Sequence, residues 1–172
     1  KVQLMHSMLF TTARKYAATA GGLVLSSDVA LLSLSNITII VDTSSVAALA
    51  ANDCGASSAG VAVWSSSIEA FSCNWMIISL ASSNITATAN FTTSAGGIAA
   101  YTYFDLALHV NDTLLSAINS SVTSTATSHQ GSSCLGIAAS SEGGGSTIVF
   151  LADFRINASS NSSLLAIANA VA

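Results

Sequence analysis

Apolar residues in this chain come in short runs of three to six, broken by Ser-Ser, Asn or Gly. Runs of that length, rich in Val, Ile and Thr, read as strands rather than helices. In one stretch the pattern predicts strands over 60–64, 68–73, 75–80 and 85–91, with tight corners between them. The pattern also repeats. Gly22-Leu23, Gly60-Val61, Gly97-Ile98 and Gly136-Ile137 are spaced by 38, 37 and 39 residues, with small residues just ahead of each.

Fourteen residues after the first three glycines stand Asn36, Asn74 and Asn111, followed by the aliphatic pairs Ile39-Ile40, Ile77-Ile78 and Leu114-Leu115. Ser44-Ser45, Ser82-Ser83 and Asn119-Ser120 come twenty-two residues after the same glycines. The fourth copy inserts Glu142-Gly143-Gly144-Gly145, which delays its matching asparagine to Asn157, and its Asn161-Ser162-Ser163-Leu164 resembles Asn119-Ser120-Ser121-Val122. A period near 38 also occurs in helical arrays, but those need Leu-, Glu-, Lys- and Arg-rich faces that are missing here. Short strands at fixed spacing stack into an all-β parallel solenoid, each repeat forming one coil. The expected architecture is therefore about four repeats of 37–39 residues over 20–172. Residues 1–19 read in two ways. Met5, Met8, Leu9, Ala13, Tyr16 and Ala17 follow the spacing of a short amphipathic cap helix, while Val2-Gln3-Leu4 suits the strand of a truncated preceding repeat. The second reading is slightly preferred.

Composition explains why such a coil is feasible. Ser, Ala and Thr fill 76 of 172 positions and proline is absent. A narrow coil has room for small side chains, and its ladder positions need every N–H donor. Charged residues make up 7% of the chain, and four Lys and Arg are too few for a nucleic-acid footprint. Mean hydropathy is +0.65, yet Ser, Thr and Asn interrupt every window, so no membrane-spanning helix is expected. Asn-x-Ser/Thr triplets occur at Asn36, Asn84, Asn90, Asn111, Asn119, Asn157 and Asn161, seven of the ten asparagines. Chance would place roughly three, so N-linked glycans are expected to replace charge as the solubilising layer.

The Gly-aliphatic starts, the Ser-Asn-Ile-Thr units at 35–38 and 83–86 and the low-charge Ser/Ala background resemble right-handed parallel β-helix proteins of the pectin-lyase-like superfamily. More narrowly, they are similar to repeats in the dispersed gene family of kinetoplastid surface proteins. The resemblance covers residues 20 to about 163 and implies an extracellular, glycosylated, extended β-structure at a cell surface. It implies no catalytic residues.

Candidate chemistry is sparse. The Asn36/Asn74/Asn111 column suits either an amide ladder along the coil axis or outward glycans at Asn36 and Asn111. Cys54, Cys73 and Cys134 give one disulfide plus a free thiol, or three buried hydrophobes. No two of the eight Asp and Glu share a register in adjacent copies by this alignment, and Asp105 and Asp112 with His109 between them are the nearest acid pair. His6, His109 and His129 are scattered, and neither a metal site nor any cofactor is expected. Glu142–Ser146 lacks the lysine of a phosphate loop. Trp64, Trp75, Tyr101, Tyr103 and Phe104 are candidates for a sugar-stacking face, or for plugs in the wider parts of the coil.

These readings point to a non-enzymatic, glycosylated extracellular protein that stacks head to tail into a filament, hair or coat. The apolar segment 164–172 and a start near a repeat boundary support that stacking. A cell-surface adhesin or carbohydrate-binding module is the alternative, and a β-helix polysaccharide lyase or hydrolase a more distant one. The chain could also be a segment cut from a much longer protein, in which case its function belongs to the whole.

Overall fold

A computed structural model of the chain describes residues 1–13, 16–26, 31–50, 55–58, 60–65, 70–127, 132–141 and 145–168. Strands follow in chain order as β1 (Val2–Met5), β2 (Met8–Ala13), β3 (Tyr16–Thr19), β4 (Leu23–Ser26), β5 (Leu31–Asp42) and β6 (Ser45–Ala50). Next come β7 (Gly55–Ser58), β8 (Val61–Ser65), β9 (Ala70–Ala81), β10 (Asn84–Ala89), β11 (Thr92–Ala95) and β12 (Ile98–Thr102). The last six are β13 (Leu106–Ile118), β14 (Ser121–Ala126), β15 (Ser132–Cys134), β16 (Ile137–Ser141), β17 (Thr147–Ala158) and β18 (Ser163–Ala168). Every fourth strand stacks on its predecessor. The result is four sheets, ordered β1-β5-β9-β13-β17 (sheet A), β2-β6-β10-β14-β18 (sheet B), β3-β7-β11-β15 (sheet C) and β4-β8-β12-β16 (sheet D). All pairings are parallel, for example Val61 with Ile98 and Ile98 with Ile137. The fold is a parallel β-solenoid of about four turns.

Residues 1–13 are strands and carry no cap helix. Exposure in β2 alternates with a period of two: Met8 and Phe10 face solvent while Leu9 packs on the main core with Val2 and Leu4. The pairing of β1 and β2 with β5 and β6 supplies backbone partners that a helix would forgo, and this outweighs the helical spacing.

The glycine spacing marks a physical column. Gly22, Gly60, Gly97 and Gly136 stack at the corner between sheets C and D, where Val61 N–H donates to Gly97 O at 2.8 Å and Ile98 N–H to Gly136 O at 2.9 Å. A Cβ on Gly60 would lie 2.3 Å from Gly97 O, and one on Gly97 2.1 Å from Gly136 O. Only glycine permits that approach.

A serine column holds the corner between sheets A and B. Ser7 N–H donates to Ser44 Oγ (3.0 Å), Ser44 N–H to Ser83 Oγ (3.1 Å), Ser83 N–H to Ser120 Oγ (3.1 Å) and Ser120 N–H to Ser162 Oγ (3.3 Å). The Ser7, Ser44, Ser83 and Ser120 hydroxyls each donate to the carbonyl two residues back in their own coil, at 2.6–2.9 Å. The Ser162 hydroxyl donates instead to Ala117 O (3.1 Å). Each corner amide that turns away from the strand ladder thus finds a partner, as a buried N–H must. Ser83 aligns with Ser44, so the sequence alignment of Ser82 with Ser44 is one residue out.

Inside, Phe71, Cys73, Met76, Ile78 and Leu80 of β9 and Leu106, Leu108, Val110, Leu115 and Ala117 of β13 are fully buried or nearly so. The inward phase slips by one between Cys73 and Met76, and again between Val110 and Thr113. A left-handed residue in the middle of each strand causes the slip.

Candidate functional site

Asn36, Trp75, Asp112 and Asp153 take φ of 57°, 59°, 48° and 49°, and they lie in line across β5, β9, β13 and β17. The flanking pairs Ser35–Asn74–Asn111–Ala152 and Ile37–Met76–Thr113–Phe154 fix that register. Asparagine and aspartate tolerate this backbone region, whereas a bulky tryptophan rarely enters it. One extra residue bends each strand, so both halves face the core and two successive side chains face out.

The outer side of this bend is a cleft of about 460 Å³ lined by Asn36, Thr38, Trp75, Ile77, Asp112, Thr113, Leu114, Asp153 and Arg155. Trp75 is 63% exposed, with Ile77 and Leu114 beside it as apolar floor. The Arg155 guanidinium stands 4.0 Å from the Asp153 carboxylate, and both are well exposed. Asp112 and Asp153 occupy one register in adjacent coils. This corrects the expectation that no two acids do; the insertion before β17 lengthens the step from β13 to 41 residues and hid the match.

The asparagine column is realised in part. Asn111 Nδ2 donates to Asn74 Oδ1 at 2.8 Å, and Asn74 Nδ2 donates to Ser72 Oγ at 3.0 Å. Asn36 is outside this pair because Ser35, one residue earlier, stands opposite Asn74. Asn157 is likewise not the fourth member: it pairs with Ser116, and Ala152 stands opposite Asn111. Asn161–Leu164 does repeat Asn119–Val122, since Ser121 pairs with Ser163 and Val122 with Leu164. Among the glycan acceptors, Asn36, Asn84, Asn119, Asn157 and Asn161 are exposed, while Asn90 and Asn111 are half-buried. Asn90 Oδ1 accepts the Thr127 hydroxyl at 2.8 Å.

Cys73 and Cys134 are free thiols; Cys54 lies outside the described residues. Burial pushes the Cys73 thiol up to about 11. Burial also raises Cys134, partly offset by backbone hydrogen bonding at Leu165 and Ser124. Neither is a ready nucleophile at neutral pH.

The remaining candidates are dispersed. Asp105 accepts the Ser146 N–H at 2.6 Å, and Asp112 is seven residues along an extended strand, about 20 Å away. His109 stacks on Phe150 with ring centroids 4.5 Å apart. Among the described residues no group of three His, Cys, Asp or Glu could hold a metal; His129 and Glu142–Gly144 lie outside them. Also among the described residues, no helix is long and apolar enough to cross a membrane. The five candidate aromatics form no single face. Tyr101 is fully buried against Phe91 and Trp64, Tyr103 and Phe104 are exposed just after β12, and Trp75 belongs to the cleft.

Fold and cleft define a parallel β-solenoid with one bent, exposed sheet face. No family model, curated protein or solved structure matches the chain.

Proposed function

We propose that this chain is a glycosylated, extracellular structural repeat that stacks end to end on copies of itself into a surface filament, hair or coat. The observation that carries the reading is the last coil. Val149, Leu151, Ile156 and Leu164 stand in register with the buried Leu108, Val110, Leu115 and Val122, yet they are 41–53% exposed. Core positions that face solvent call for a further coil stacked on them. At the opposite end the inward-facing Val2, Leu4 and Leu9 are only half-buried, although their partners Ile39, Val41 and Val46 in the next coil are fully buried.

A second copy in the same orientation can pair its β1 and β2 with β17 and β18. β17 and β18 are edge strands of sheets A and B, and β1 and β2 are the opposite edges. In a parallel ladder the free edge of β18 presents the same alternation of N–H and C=O that β14 presented to β18. Addition of a further parallel coil repeats the contact and leaves the next edge free, so the assembly propagates without closing. Four exposed sequon asparagines outside the sheet A cleft (Asn84, Asn119, Asn157 and Asn161) and 7% charge support a sugar coat as the solubilising layer. The glycosylated protein belongs outside the cell, and no chemistry is assigned to it.

Sedimentation against concentration tests the stacking. The wild type is expected to grow in mass with concentration, and Leu151→Asp with Ile156→Asp to abolish growth. A wild type that remains a monomer at micromolar concentration contradicts the reading. Intact mass before and after glycosidase treatment of protein from its native source tests the glycan part, and an unchanged mass refutes it.

A further inference from the structure

Filament stacking uses the two ends of the solenoid and leaves its sides free. The sheet A cleft lies on one side, and we infer that it binds an uncharged oligosaccharide laid along the solenoid axis.

Three features support that ligand class. The first is the floor: the exposed face of Trp75, continued by Ile77 and Leu114, matches the apolar face of a pyranose ring. The second is the distribution of polar groups. Asn36 and Thr38 stand on one side of the tryptophan and Asp112, Asp153 and Arg155 on the other, so donors and acceptors flank the floor along its length. Sugar hydroxyls both donate and accept, and they satisfy such a mixed set. An apolar peptide segment would instead cover the Asp112 carboxylate with no partner. The third is charge. Two aspartates and one arginine give the lining a net charge of −1, which disfavours acidic saccharides.

The dimensions agree. Asn36, Trp75, Asp112 and Asp153 belong to four successive coils, and three coil spacings of about 4.8 Å give a run of about 14 Å. That accommodates about three sugar rings.

The position of Trp75 adds to the case. Its neighbours in the left-handed column are Asn, Asp and Asp, the residues this backbone accepts. Tryptophan gains little there from packing, because it is 63% exposed. A bulky side chain held at a strained, exposed position is the kind of outlier from which function is properly inferred.

The test uses chain produced in a host that attaches no N-glycans, so that Asn36 is bare. Indole N–H signals of Trp64 and Trp75 are followed by NMR during titration with cellotetraose, chitotetraose and trigalacturonate. A neutral tetrasaccharide is expected to shift the Trp75 signal saturably and leave Trp64 unmoved. Affinities of the variants are read by isothermal titration calorimetry, because Trp75→Ala lacks the reporting indole: Trp75→Ala should weaken binding at least tenfold and Asp112→Asn severalfold, with both variants folded because both side chains are exposed. Trigalacturonate should bind at least tenfold more weakly than the better neutral ligand. Absence of a saturable shift with either neutral tetrasaccharide overturns the inference, as does unchanged affinity in Trp75→Ala or equal binding of the acidic sugar. Stacking of the ends is read separately by sedimentation, so either result stands without the other.

Discussion

Removal of one hydroxyl from the serine column gives the sharpest test of how the coils are held together. Ser83 Oγ accepts the Ser44 N–H at 3.1 Å and donates to Ala81 O at 2.6 Å, and both serines are about 5% exposed. In Ser83→Ala, Ala81 O keeps the Thr43 N–H at 2.9 Å. The Ser44 N–H keeps nothing and is too buried to recruit solvent freely. An orphaned buried donor costs about 1–3 kcal/mol, so the variant should lose about 2 kcal/mol. Ser121→Ala, at an exposed position in the next strand of the same sheet, should change stability by less than about 0.5 kcal/mol. Urea unfolding followed by circular dichroism gives the two values. Hydrogen exchange at the Ser44 amide locates the effect, which matters because solenoids can unfold in parts. If Ser83→Ala is no less stable than Ser121→Ala, the serine column is not a structural device.

Three further outcomes follow from the same geometry. Gly97→Ala should destabilise by about 3 kcal/mol or more in urea unfolding, because its Cβ would meet Gly136 O at 2.1 Å and Ser94 Oγ at 2.6 Å; Gly136→Ala, whose nearest neighbour is 3.6 Å away, should stay within about 0.5 kcal/mol of wild type. Trp75→Asn should stabilise by about 1 kcal/mol by relieving the left-handed tryptophan while removing saccharide binding, as thermal melts and calorimetric titration would show. The folded Cys73 pKa of about 11 lies above its ordinary 9.0, so protonation favours the folded state. That contribution is complete below pH 9 and is lost between pH 9 and 11, about 3 kcal/mol in all. Urea midpoints at pH 8 and 10.5 should fall further in wild type than in Cys73→Ala.

The glycine spacing was legible in the sequence because its cause is local and absolute: a side chain at Gly60 or Gly97 meets the next coil's backbone. No other residue fits, so the column survives as a plain letter pattern. The left-handed column in sheet A was not legible, because Asn, Trp and Asp all occupy it. A backbone conformation, rather than a side-chain type, is what repeats there. Aligning on asparagine therefore matched Asn36 with Asn74, one residue out of true register, and separated Asp112 from Asp153. A signal was present in the phase of the apolar residues. Phe71 and Cys73 against Met76, Ile78 and Leu80 show a one-residue slip that only a bend explains. At the N-terminus, helical spacing in Met5, Met8 and Leu9 competed with strand alternation, and pairing to β5 and β6 decided it.

Fibre diffraction from concentrated, aligned protein tests the central claim most directly. Head-to-tail stacking of these coils predicts filaments with a reflection at about 4.8 Å along the filament axis, since strands lie across that axis and coils repeat along it. Discrete particles with no fibres, or fibres whose 4.8 Å reflection lies across the axis, would contradict it.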